Sequence, residues 1–222
     1  MSRFDLIIFD FDGVVADSEV LSSTVLADVL TEAGLPTTLE DVLELYVGMR
    51  WRDARSIAEA RHGRSCPDHV GPVSTEICHA RAMTELQSVP GLLDFLATRT
   101  EARCIASSST PDWLHLGLDR FGIRPMFEGA IFSAAIHVDR GKPYPDLFLH
   151  AAQEMGVSPD RSLVIEDSAA GVQAGVAAGM TTVGLLAGGH VREGHARRLE
   201  AAGADHLFDS YADLAAFMER AR

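Results

Sequence analysis

Lysine is almost missing from this 222-residue chain: of its 19 Lys and Arg side chains, only Lys142 is a lysine. Either biased codon usage has left a chance survivor, or that point needs a compact ammonium that a planar guanidinium cannot replace. Cysteine is scarce too. Cys66, Cys78 and Cys104 are widely spaced and form no CxxC pair, which excludes a disulfide framework or a structural zinc site and suits a reducing compartment. No apolar run approaches the roughly 18 residues that span a bilayer. The opening MSRFDLIIFDFDG carries acids inside its apolar stretch, unlike a secretory leader. A cytoplasmic location is therefore expected. A net charge of −13 disfavours nucleic acid and anionic membrane as partners. A small-molecule ligand remains, with a monomer or weak homodimer as the expected state.

What is present is an alternation of short apolar runs and helical patterns. Phe4–Phe9, Arg103–Ala106, Gly129–Phe132, Leu163–Ile165, Thr182–Leu186 and Ala204–Phe208 read as buried strands. Helical patterns at Leu92–Thr100, Pro111–Phe121, Asp146–Met155, Ala169–Ala178 and His195–Ala202 lie between them. That order predicts an α/β fold, a doubly wound Rossmann-like parallel sheet. One block breaks it. Between the first and second strands, almost 70 residues carry only helical patterns: Ser18–Ala33, Thr38–Leu45 with Thr38 as N-cap, Arg52–His62 and Pro67–Glu85. This is too long for a crossover. It predicts a catalytic core of residues 1–15 and 86–222 with an inserted α-helical cap domain at 16–85.

Ligands of open parallel sheets bind at the carboxyl ends of strands, and four polar segments fall there. Asp10-Phe11-Asp12-Gly13 follows the first strand, with Gly13 permitting a turn that aims both acids at one site. An EF-hand loop would need Gly and Glu where Val15 and Leu21 stand. Ser107, Ser108, Ser109 and Thr110 follow the second strand. Their hydroxyls and backbone N–H groups suit a phosphate oxygen, or simply cap the helix begun by Pro111. Lys142 sits in the stiff loop Gly141-Lys142-Pro143-Tyr144-Pro145. Glu166-Asp167-Ser168 follows the fourth run. Brought beside Asp10 and Asp12, these acids would repel by about 4 kcal/mol per pair at ~4 Å and an effective dielectric of ~20. Such a cluster needs a cation or a shared proton, and hard carboxylate oxygens suit Mg²⁺. Gly171, Gly175 and Gly179 recur every four residues and suggest close packing of that helix on the sheet.

Together, DxDG at 10–13, Ser107, Lys142 in GKPxPD and the acidic pair 166–167 resemble the four motifs of the haloacid dehalogenase superfamily, in order and across essentially the whole chain. The insertion point resembles the helical-cap subgroup of β-phosphoglucomutases and sugar-phosphate phosphatases. The resemblance implies that Asp10 is the nucleophile and Asp12 the general acid/base. It implies that Ser107, Ser108 and Lys142 bind the phosphoryl oxygens. Mg²⁺ would be held by Asp10, the Asp12 carbonyl and Asp167, with Glu166 supporting it from behind. The expected reaction is Mg²⁺-dependent hydrolysis of a small phosphorylated metabolite, a sugar or sugar-acid phosphate, through an aspartyl-phosphate.

Other members fit less well. The metal-free dehalogenases lack the second acid of the first motif, present here as Asp12. Phosphonoacetaldehyde hydrolases need a cap lysine, and residues 16–85 contain none. β-Phosphoglucomutases carry a His early in the first cap helix, whereas Asp17–Ser22 has none. Phosphoryl transfer of the mutase type is the alternative, and a non-catalytic binding protein on the same fold a second. Substrate selection is assigned to Arg50, beside Trp51 and Arg52, whose guanidiniums suit a carboxylate or a hydroxyl-rich sugar; equally, Trp51 could pack inward. His62, His69 and His79 form no metal-ligand pattern.

Overall fold

The computed structural model describes residues 3–46 and 51–220, apart from the Asp53 side chain. The chain forms two compact units, one of Met1–Asp17 with Gln87–Arg222 and the other of Ser18–Leu86.

In chain order, strand β1 (Leu6–Phe9) leads into helices α1 (Ser18–Glu32), α2 (Leu39–Leu45), α3 (Trp51–His62) and α4 (Val70–Glu85), which make up the second unit. The first unit then continues through α5 (Leu92–Thr98), β2 (Ala102–Ser107), α6 (Pro111–Arg120), β3 (Ile131–Ser133), α7 (Ala134–His137) and α8 (Asp146–Glu154). It ends with β4 (Ser162–Glu166), α9 (Ala169–Ala177), β5 (Thr181–Leu185), α10 (His195–Ala202), β6 (His206–Phe208) and α11 (Tyr211–Arg220).

Among the described residues, the six strands form one sheet in the order β3-β2-β1-β4-β5-β6, and every pairing in it is parallel. Strand β1 lies in the middle because Leu6, Ile7, Ile8 and Phe9 are apolar on both faces and all are buried. Each such side chain stabilises the fold by about 1.5–3 kcal/mol relative to exposure. One face of the sheet is covered by a cluster in which Leu6, Ile8, Cys104 and Val164 meet Leu147, Phe148 and Ala174. Elsewhere Phe9 meets Phe95 and Phe127 edge-on, and Phe95 in turn contacts Tyr211. The strand order reverses direction at β1 and β4, which is where this topology opens a crevice at the strand ends.

The helical unit has its own core of Val25, Leu30, Leu35, Val42, Tyr46, Ala58, Cys66 and Val70. Helix α2 begins with a reciprocal cap: Thr38 Oγ1 accepts from the Asp41 N–H at 3.1 Å, and Asp41 Oδ2 accepts from the Thr38 N–H at 2.9 Å. Trp51 is part of this packing. It lies against the core and over Gly71, where any Cβ would collide with the indole. Of the two readings of Trp51, the inward one holds, because an indole buries more apolar surface than a solvated loop could offset. Arg50 lies outside the described residues, so its assignment to substrate selection rests on sequence alone.

Other details depart from the sequence reading. Thr110 takes the N-cap position of α6 with no side-chain capping bond, while Pro111 starts the helix. Gly171 and Gly175 press against Glu166 and Thr182, as close packing requires, but Gly179 meets nothing and has a φ of +73°. It ends the helix rather than extending the packed face. Helices α7 and α11 were not anticipated.

Candidate active site

Parallel register brings the four predicted segments together. Phe9 is paired with Ile105 of β2 and Ile165 of β4, so the residues that follow emerge side by side. Asp10 is anchored by its N–H on the Ile165 carbonyl at 3.0 Å. The chain then turns sharply, with the Gly13, Val15 and Ala16 N–H groups satisfied by the Ala16 and Phe11 carbonyls. Gly13, at φ +77°, is required twice. Its backbone is left-handed, and a Cβ there would run into the Asp167 carboxylate. From behind, the buried Tyr211 hydroxyl donates to the Val14 carbonyl at 2.9 Å.

Lys142 reaches this point from the loop before α8. Its Nζ donates to Asp10 Oδ1 at 2.6 Å and to Glu166 Oε1 at 2.5 Å, and lies 5.0 Å from the centre of the Phe148 ring. All three polar side chains are almost sealed from water, at 6%, 10% and 0% exposure for Lys142, Asp10 and Glu166. The Lys142–Pro143 peptide is cis. The other Glu166 oxygen accepts from the Asp167 and Ser168 N–H groups and from the Ser168 hydroxyl. Helix α9 can approach this carboxylate because residue 171 is glycine.

Asp10, Glu166 and Asp167 are all buried, and each offers an oxygen within 4.8 Å of the others. Three carboxylates therefore face one ammonium. Burial and then the Glu166 charge push the Asp10 carboxyl well above the usual carboxylate range, against the pull of Lys142. Asp167 is raised for the same two leading reasons. Burial disfavours the Lys142 ammonium, but Asp10 and Glu166 outweigh it and raise its pKa above the ordinary value. Asp10 and Asp167, so buried and crowded that each resists ionising, are relieved by a cation, and their hard oxygen donors fit a small divalent ion such as Mg²⁺.

Of the β2-end residues, Ser107 is buried and Ser108 exposed. Ser107 Oγ accepts from the Ser109 N–H at 3.1 Å, which leaves its own proton to donate elsewhere. Asp12 is half-buried and turned toward β2. Its Oδ2 accepts from Ser109 Oγ at 2.5 Å and its Oδ1 from Trp113 Nε1 at 2.8 Å.

Trp113, His190 and His195 were not singled out in the sequence. Trp113 passed for part of an ordinary helix, and Ser109 was read as a phosphate donor or helix cap rather than as a partner of Asp12. The loop after β5 supplies buried His190, whose Nε2 lies 3.0 Å from Asp167 Oδ2, while the Gly189 N–H donates to Asp17 at 2.9 Å. The available signal was Gly188-Gly189-His190 directly beyond a fifth strand end. Gly188 sits against the His190 ring and leaves no room for a Cβ. His195 Nε2 is 2.7 Å from the Asp167 carbonyl, and burial lowers its pKa.

A family model described as haloacid dehalogenase-like hydrolase matches residues 4–179. Among curated relatives, the 6-phosphogluconate phosphatase of Escherichia coli K12 is 29% identical over 86% of each chain. A fructose-1-phosphate phosphatase of the same organism is 31% identical over 82% of this chain and 96% of its own. A haloacid dehalogenase-like protein of unknown function from Agrobacterium tumefaciens superposes with a TM-score of 0.91 at 37% identity over 98% of both chains. A Deinococcus radiodurans hydrolase solved with bound phosphate and sodium gives 0.88 at 33% identity, covering 100% of this chain and 97% of that one. Among the described residues, no helix is long and apolar enough to cross a membrane.

Proposed function

Because the chain belongs to the haloacid dehalogenase-like hydrolases, we propose that it is a Mg²⁺-dependent phosphatase that hydrolyses a small phosphorylated sugar or sugar acid. The observation that carries this is Asp10. It is a buried carboxylate at the end of the central strand, held on one oxygen by the chain's only lysine and bordered by two further acids. Two curated relatives acting on 6-phosphogluconate and fructose 1-phosphate support the substrate class.

In this reading Lys142 fixes Oδ1 of Asp10, and the other carboxylate oxygen attacks phosphorus, forming an aspartyl-phosphate as the bond to the sugar oxygen breaks. Asp12 gives its proton to the departing oxygen. It then takes a proton from the water that attacks phosphorus, releasing inorganic phosphate and restoring Asp10. Ser107 and Ser108 bind the transferring oxygens through their hydroxyl protons. Asp10, the Asp12 carbonyl and Asp167 would hold Mg²⁺. Glu166, committed to Lys142 and to backbone N–H groups, supports the site from behind. When bound, the ion neutralises charge between the nucleophile and the phosphoryl group.

The test is ³¹P NMR of a panel containing gluconate 6-phosphate, fructose 1-phosphate and hexose 1-phosphates, with Mg²⁺ or with EDTA. Inorganic phosphate should appear only with Mg²⁺ and should vanish in Asp10→Asn. An isomeric sugar phosphate in its place would transfer the assignment to the mutase class. Full turnover by Asp10→Asn would refute the nucleophile.

A further inference from the structure

We infer that Trp113 and Ser109 are positioning residues for Asp12, holding its carboxylate in the orientation from which it protonates the leaving oxygen. The inference rests on the acid/base reading of Asp12 above. Each Asp12 oxygen has its own donor, Ser109 from the link between β2 and α6 and Trp113 from the first turn of α6. A half-exposed aspartate otherwise has two freely rotating torsions, and bonds to both oxygens fix both of them. The indole N–H can only donate, so it cannot be confused with a proton acceptor. Each bonded oxygen keeps a second lone pair on which a transferable proton can sit.

The donors are themselves secured. The Ser109 N–H is held by Ser107 Oγ at 3.1 Å, and its carbonyl accepts from Ser133 Oγ of β3 at 2.6 Å. Trp113 is in the first turn of α6, whose start is set by Pro111, and only 8% of it is exposed. A chain of contacts thus runs from β3 through the β2 end to the carboxylate. Packing alone would account for a buried indole, but it would not require both Asp12 oxygens to be met.

The two readings differ in how the rate depends on the leaving group. p-Nitrophenolate departs with little need of a proton, whereas phenolate, of nearly the same shape, needs one. kcat/KM, which covers only the steps up to alcohol departure, is measured for p-nitrophenyl phosphate and phenyl phosphate at saturating Mg²⁺. Asp12→Asn sets the scale, with a loss on phenyl phosphate expected in the range of roughly 10²–10⁴-fold. Trp113→Phe keeps the ring and removes the N–H. It should lose about tenfold more on phenyl than on p-nitrophenyl phosphate, a fraction of the roughly 10²-fold that full misplacement of a reacting group can cost, because Ser109 still holds the other oxygen. Ser109→Ala should show the same selectivity and Ser109→Thr should largely reverse it, so a poorly folded Trp113→Phe would leave the serine pair as the test. Equal losses on both esters in these variants would overturn the inference while leaving Asp12 in place. Equal losses in Asp12→Asn itself would overturn the acid reading and this inference with it.

Discussion

Replacing Lys142 with methionine removes the one ammonium from a pocket of three carboxylates and keeps most of the side-chain volume. Asp10 and Glu166 would then face one another within 4.8 Å. At an effective dielectric of ~20, that separation corresponds to about 3.5 kcal/mol of repulsion. Removing one partner of a buried ion pair costs about 3–5 kcal/mol by experience elsewhere, so the two routes agree. The expected result is a loss of about 3–4 kcal/mol in urea unfolding at pH 7 in EDTA, with an unchanged urea slope. Trp51 lies in the helical unit and Trp113 in the sheet unit, so a Trp51→Phe background makes the fluorescence of Trp113 report on the right one. Adding Glu166→Gln to Lys142→Met should return at least about 1 kcal/mol, because Asp10 then meets one like charge, Asp167, in place of two. A loss below about 1 kcal/mol, or no recovery in the double variant, would show that the ammonium is not what holds these acids together. Lys142→Arg keeps the charge but must fit a larger planar group into a site 6% exposed. Turnover should fall about 10²-fold through misplacement of Asp10, and near-wild-type turnover would refute the point-charge role.

Gly171→Ala places a methyl inside the Glu166 carboxylate; it should cost about 1–3 kcal/mol as an overpacked site and lower kcat, and a crystal structure with the Lys142–Glu166 contact intact would contradict this. In the helical unit, bonds from the Thr38 backbone and side chain, with Arg61 assisting, hold the Asp41 carboxyl at about 2, below its ordinary 3.8. A depressed acid stabilises above its unfolded value and loses that contribution as pH falls through the folded one. The melting temperature of the wild type should therefore drop toward that of Asp41→Asn between about pH 4 and 2, and a constant gap over that range would argue against the cap.

Much of the core was legible because it is locally encoded. LIIF, apolar at every position and closed by Gly13, reads as a strand buried on both faces, and parallel register then brings Asp10, Ser107 and Glu166–Asp167 to adjoining strand ends. Contacts between segments distant in sequence were not legible. Trp113 is 101 residues from the Asp12 it bonds, and nothing in the spacing PDWLH distinguishes a core indole from one that serves a carboxylate. His190 was hidden in the same way, since its loop has meaning only once β5 is known to neighbour β4. Helix α11 was overlooked although its Tyr211 supports the turn after β1.

The scarcity of lysine acquires a physical reason when Lys142 is set beside the arginines. Arg161 meets Asp5 through Nε and Nη2 at 2.9 Å each, and Arg140 grips Asp146 through the same two atoms at 3.0 and 2.9 Å. Both are parallel forks on a single carboxylate, with the Arg161 and Asp5 side chains 40% and 56% exposed. A guanidinium is shaped for that. The buried site poses a different demand, one cation touching two carboxylates that arrive from different strands. A guanidinium can bridge two carboxylates, as Arg55 does between Glu59 and Asp68, but from N–H groups spread over a planar fork, whereas an ammonium presents three donors that rotate about a single atom. It is therefore the sealed space between Asp10 and Glu166, with room for one compact donor atom rather than a planar fork, that calls for lysine at position 142 in a chain otherwise served by arginine.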